Sequence, residues 1–161
     1  MLDALIHTIK LTRDSTLKLV ADLSDDQIAL QPAAGMNHPA WVLGHLLMVD
    51  GNFLALAGGT APTLEANWKE IYAGGSKPVA DKSKYKPKQW YLDQMAAVRG
   101  QIIERLKVLT PTDMAKPHPD PARRERFPTI GHTIFIYGTW HEAYHAGQLS
   151  AWRRVLGLPA V

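Results

Sequence analysis

The sequence predicts an all-α protein, a four-helix bundle, and three observations carry that prediction. Apolar residues recur at three- and four-residue spacing through four long stretches of the chain. Segments rich in Pro and Gly, which break helices, separate those stretches. No alternation of apolar and polar residues longer than four positions remains once they are assigned, and no internal repeat is present.

The first helix is expected over residues 2–23, with Leu2, Leu5, Ile6, Ile9, Leu19, Val20 and Leu23 on its apolar face. Thr12, Arg13, Ser15 and Thr16 form a polar patch within it, read as facing solvent, with the border of a cavity as the alternative. Ser24 has the character of an N-cap, followed by Asp25, Asp26 and Gln27, which predicts one short helix ended by Pro32 and Gly35. Asn37, His38 and Pro39 open the next long helix, because Pro is tolerated at a first helical position and Asn or His can cap it. Its stripe is Val42, His45, Leu46, Val49, Phe53 and Leu56, and Gly58 and Gly59 stop it.

Residues 60–86 read as a long connection with a short helix around residues 64–72. Lys77, Lys82, Lys84, Lys86 and Lys88 give it and its end a basic character, expected as a solvated surface or as attraction for an anionic substrate. A connection of this length could cross the end of a bundle. Pro87 opens a third helix on Tyr91, Met95, Val98, Ile102, Leu106 and Leu109, running to about Thr110. Residues 111–127 hold four prolines and the basic run Arg123, Arg124 and Arg126, and are expected to be a loop. Pro128 and Thr129 start the fourth helix, roughly 28 residues and ~42 Å long at 1.5 Å per residue. Gly157 caps it and Pro159 follows.

That last helix carries the chemistry, in the run GTWHEAYHAGQLSAWRR. The spacing of Ile134, Tyr137, Trp152 and Val155 continues through His141, His145 and Gln148, so three polar side chains fall on the core-facing stripe. Polar groups taken out of water need partners, and two imidazoles one turn apart can share a small cation. The bland alternative is a pair of core histidines bonded to backbone or aromatic side chains. His45 breaks the stripe of the second long helix in the same way, so His45, His141 and His145 form the candidate site. Three neutral nitrogen ligands leave an open position, as catalytic rather than structural sites do. Imidazole suits zinc first and nickel second.

HEAYH also matches the H-E-x-x-H string of zinc proteases, but no His, Asp or Glu follows His145 to complete such a site. Glu142 lies about 100° around the helix from His141, as a base, a carboxylate supporting a ligand, or a surface charge. His7, His38, His118 and His132 have no partner by spacing and are read as structural or surface groups. Trp41, Tyr137, Trp140 and Tyr144 are read as core, with the lining of a pocket as the alternative.

A length of 161 residues fits one domain over residues 1–161. No cysteine is present, which excludes disulfides, thiolate ligands and a thiol nucleophile carried by the protein. The net charge of +3, without aromatic-basic interleaving, argues against nucleic acid. No run approaches the ~18 uninterrupted apolar residues of a membrane span, and the N-terminus lacks a signal pattern, so a soluble, cytoplasmic protein is expected.

The stretches LSDDQIALQPAAGMNHPAWVLGHLLMVD and WHEAYHAGQLSAWRRVLGLP resemble the DinB/YfiT-like superfamily of metalloenzymes, most specifically in GHL at residues 44–46 and HAGQL at residues 145–149. The resemblance covers most of the chain. It implies an up-down-down-up bundle, metal ligands at His45, His141 and His145, and a role for Gln148 in orienting a ligand or bound water. It also implies thiol-dependent transferase or isomerase chemistry with a low-molecular-weight thiol cosubstrate, and it is the basis for expecting a homodimer. A hydrolase using metal-activated water, with Glu142 or Gln148 positioning it, is the alternative, and a noncatalytic metal-binding bundle is the rival from another class.

Overall fold

In the computed structural model, which describes residues 2–161, the long helices form where apolar spacing places them. Helix α1 spans Leu2–Ala21, α2 Pro39–Leu56 and α4 Lys88–Val108, with the short α3 at Trp68–Tyr72 in the connection between α2 and α4. Helix α5, Pro111–Ala115, precedes a last helical run made of α6, Ile130–Phe135, a π-helical segment, Ile136–His141, and α7, Glu142–Val155. Among the described residues no strand forms; one isolated bridge pairs Pro117 with Thr129.

The ends of these helices follow from their sequence. His38 Nδ1 accepts from Trp41 N–H as the N-cap of α2, and Pro39 takes the first helical position. Beyond α2, Gly58 adopts a φ of +80°, open to glycine at little cost. Thr129 caps α6 by accepting from His132 N–H. Lys88 is not one of a solvated run: its Nζ donates to the carbonyls of Val20, Ala21 and Leu23, at and just beyond the C-terminus of α1.

Several local expectations need correction. Residues 24–30 form a turn rather than a helix; Ser24 and Gln27 bond reciprocally as a capping box would, but Ala40 N–H takes the Ile28 carbonyl at 2.8 Å and Pro32 bars the helical region to Gln31. The stretch 111–127 is not all loop, because Thr110 and Asp113 build a capping box around Pro111 and nucleate α5. In the polar patch of α1, Arg13 and Thr16 are buried, not solvated. Along the last helix, Val155 is 58% exposed, and Gly138, Leu149 and Trp152 face inward.

Helix α1 runs parallel to the last helical run: Leu5 and Ile9 lie against Gly138, Arg13 meets Glu142, and Arg153 donates to the Leu19 carbonyl. Helices α2 and α4 also run parallel, Asp50 meeting Arg99 and the Ala57 carbonyl meeting Arg105. Against the last run α2 is antiparallel, with Asn37 beside Gln148 and His45 beside His141. Helix α2 is long and apolar enough to cross a membrane by length and composition, with a mean hydropathy of 1.2, yet 78% of it is buried within the protein. It is the central helix, covered on nearly every face, and it carries His45.

Candidate metal centre

Helix α2 brings one histidine and the last helical run two to one point. The candidate ligand atoms of His45, His141 and His145 all lie within 4.8 Å of one another, with His45 and His145 buried and His141 half-buried. His45 Nε2 and His141 Nε2 stand 3.3 Å apart. Two nitrogens on a tetrahedral zinc at about 2.0–2.1 Å are separated by about 3.3 Å. The spacing of this pair therefore fits a shared ion.

The hydrogen bonds around the rings decide which nitrogens face that point. The Tyr72 carbonyl, 2.7 Å from His45 Nδ1, can only accept, so Nδ1 carries the proton and Nε2 keeps a lone pair. The Trp41 indole stacks on the same ring, 4.8 Å between centroids and 8° from parallel, and holds its plane. His145 Nδ1 donates to Gln148 Oε1 at 2.9 Å, which leaves Nε2 for the shared point. His141 Nδ1 is buried without a partner. Lone pairs facing each other at short range repel unless a cation or proton lies between them, and a bound cation relieves that repulsion.

Electrostatics keeps the three rings neutral, the form a metal requires. Burial lowers the pKa of His45. It pushes His141 down to about 3, with the other two imidazoles adding to the effect, and His145 down to about 4, with His45 contributing. A protonated ring here would sit desolvated among two others.

Glu142 is 1% exposed, which removes the surface-charge reading. Its Oε1 accepts from Arg13 Nε at 2.6 Å and its Oε2 from Arg99 Nη2 at 2.6 Å. Asp50 closes the ring, accepting from Arg13 Nη2 and Arg99 Nη2 at 2.8 Å each. Burial alone would raise the Glu142 pKa, but the two guanidinium groups outweigh it and hold the carboxyl below its usual range. The Arg13 pKa is raised in turn: burial lowers it, and Asp50 and Glu142 outweigh that desolvation. These four charges, one from each long helix, lie immediately beside the histidines.

Sequence spacing put His45, His141, His145 and Gln148 on inward stripes and the HEAYH string singled out Glu142 with its role left open, but Arg13, Asp50 and Arg99, which share the Glu142 network, were not assigned to the site. A signal existed: Arg13 follows Ile9 by four positions, Asp50 follows Leu46 by four and Arg99 follows Met95 by four, so each lies on an inward stripe. The Tyr72 carbonyl carried no signal at all, because a backbone group has no residue identity. Trp41 joins the site; Trp140 and Tyr144 do not enter the core, being 48% and 51% exposed and stacked on each other at 5.3 Å. His38 and His118 are buried outside the cluster, and His7 and His132 are exposed.

No curated protein matches the chain at a significant level. The family model described as the DinB superfamily matches residues 8–149, a span that includes all three histidines and all four charges of the buried ring. Over that span, nearly the whole sequence, the chain belongs to the DinB superfamily.

Proposed function

We propose that this protein is a metal-dependent enzyme whose divalent ion, zinc before nickel, is held by His45, His141 and His145, and that it catalyses thiol-dependent transfer with a low-molecular-weight thiol as cosubstrate. The observation that carries the reading is the convergence of three neutral imidazoles on one point, with no fourth protein ligand in the group among the described residues. A bound divalent ion supplies Lewis acidity, which lowers the pKa of a thiol or water brought to it. The protein has no cysteine, so the thiol arrives with a cosubstrate.

The chain's own groups orient and shield. Trp41 and the Tyr72 carbonyl hold His45, and Gln148 holds His145. On the half-exposed side of the cluster, the Tyr137 ring lies 5.7 Å from His141 and its hydroxyl accepts from Arg123 at 3.1 Å. The charge of Arg126 also reaches His141. These arginines, rather than the lysine-rich connection, favour an anionic cosubstrate. Glu142 supports transfer over hydrolysis: both its oxygens are engaged by guanidinium groups and its pKa is lowered, which makes it a poor general base. We read Gln148 as holding His145 in place and Glu142 as bracing the start of α7 against Arg13 and Arg99.

The same reading takes residues 1–161 as one domain with its long helices in up-down-down-up order, supported by the parallel runs of α1 with α7 and of α2 with α4. The test is metal content by mass spectrometry on tag-free protein, wild type beside His141→Ala, followed by thiol titration of the cobalt-substituted protein. Near-stoichiometric metal in the wild type, lost in the variant, together with a thiolate-to-cobalt band, is expected. Metal without any thiol response would move the function to hydrolysis or structure, and absence of metal would remove the centre.

A further inference from the structure

Two of the three histidines owe their tautomer to groups of different kinds. His45 Nδ1 faces a backbone carbonyl, which can only accept and cannot turn round. His145 Nδ1 faces the side-chain amide of Gln148, which has an accepting end and a donating end of nearly equal shape. Were that amide reversed, its NH2 would meet His145 Nδ1, the ring proton would have to move to Nε2, and an N–H instead of a lone pair would point at His45 and His141. Something must decide which end of Gln148 faces the ring.

The group in place to do so is Asn37, whose Nδ2 donates to the same Gln148 Oε1 at 3.0 Å. With Asn37 oriented as it is, a reversed Gln148 would bring two NH2 groups together. The backbone at Asn37 is anchored: the residue precedes His38, the buried cap of α2, and Gln31 Nε2 ties its segment down by donating to the carbonyls of Met36 and Pro78. The same segment is fastened to α7 a second time, where Trp152 Nε1 donates to the Leu30 carbonyl at 2.7 Å.

We propose that Asn37 is a positioning residue that acts through Gln148 to hold His145 in its Nδ1–H tautomer, with Nε2 presented to the candidate ion. This rests on the reading of the three histidines as a metal centre. The Asn37 side chain bonds Gln148 rather than a histidine, so its effect is transmitted by the orientation of that amide.

Asn37→Asp is the sharpest test, because an ionised carboxylate of the same shape can only accept. It turns the Gln148 NH2 toward itself and leaves His145 Nδ1 as an acceptor. Long-range proton–nitrogen correlation spectra of the metal-free protein report the tautomer, and competition against a chromophoric chelator reports zinc affinity. Expected are the Nδ1–H form in the wild type, a shift to Nε2–H in Asn37→Asp, and zinc affinity lower by about ten- to a hundredfold. Thermal unfolding of each variant separates this from a loss of folding. Gln148→Glu provides a second, independent check: a carboxylate there accepts from His145 without help, so adding Asn37→Ala to it should change neither tautomer nor affinity, whereas Asn37→Ala alone weakens zinc. An unchanged His145 tautomer in Asn37→Asp, or the Nε2–H form already in the wild type, overturns the proposal. A wild type that binds no zinc removes the metal centre, while the spectra still decide what Asn37 does to His145.

Discussion

Arg13, Asp50, Arg99 and Glu142 are each 6% exposed or less and balance one another in charge. Such a ring contributes little net stability when intact, since desolvation offsets most of the attraction, but removing one member strands a buried charge. Arg13→Met is therefore expected to cost roughly 3–5 kcal/mol, a large part of the stability of a domain this size. Urea denaturation checks this, and a loss below about 1 kcal/mol would mean that water enters and screens the ring. At this scale the sequence was legible in spacing but not in residue type: the habit of assigning arginine to solvent hid Arg13, although Leu5, Ile9, Arg13, Thr16 and Val20 share one buried face.

At the scale of elements, the glycine of the GHL run has a steric reason. A Cβ on Gly44 would lie 2.1 Å from Tyr72 Cε1. The ring has little room to retreat, because its hydroxyl bonds that of Tyr91 at 2.5 Å and Trp68 packs on it at 4.5 Å. Trp68 in turn donates to the Gly44 carbonyl at 3.1 Å. Gly44→Ala is expected to destabilise by roughly 3 kcal/mol, as overpacking does, and to weaken zinc as well, because the displaced residue supplies the carbonyl that orients His45. Thermal unfolding and zinc titration on the same variant would show both losses; normal zinc affinity in a destabilised variant would detach Tyr72 from the site. The π-helical segment Ile136–His141 is the other element that matters, ending at a candidate ligand. A Cβ on Gly138 would come within 2.9 Å of Ile9 Cγ1 and Cδ1, so α1 packs closely against the chain where the helix widens. A local change of helical period leaves the three- and four-residue spacing of apolar residues almost unaltered, which is why residues 128–157 read as one uninterrupted helix.

For the molecule as a whole, the depressed pKa values of His38, His45, His141 and His145 link stability to pH. The unfolded chain takes up protons near the ordinary value of 6.5 while the folded rings resist, so the unfolded state binds more protons and metal-free stability falls as the pH drops below 6.5. Each histidine contributes up to about 1.4 kcal/mol per pH unit within that window. The carboxylates with lowered pKa, Asp22, Asp113 and Glu142, stabilise above their unfolded values of 3.8 to 4.5, so their share is lost only below the window's upper part. Urea midpoints of the metal-free protein between pH 7 and pH 5 should decline, and His141→Gln with His145→Gln should flatten the decline. A flat wild-type profile would mean that the rings are hydrated rather than buried.

The positions of the long helices, the start of α2 at Asn37 to Pro39 and that of the last run at Pro128 and Thr129, and the three histidines of the cluster followed from the sequence alone, because each depends on spacing within one segment or on a single residue's local chemistry. Tertiary structure alone decided that Arg13, Asp50, Arg99 and Glu142 form one ring, that the Tyr72 carbonyl orients His45, and that Asn37 reaches Gln148 across 111 positions of chain. Those are pairings between distant segments. No periodicity within a segment specifies them, and only the packing of one helix against another brings them within hydrogen-bonding distance.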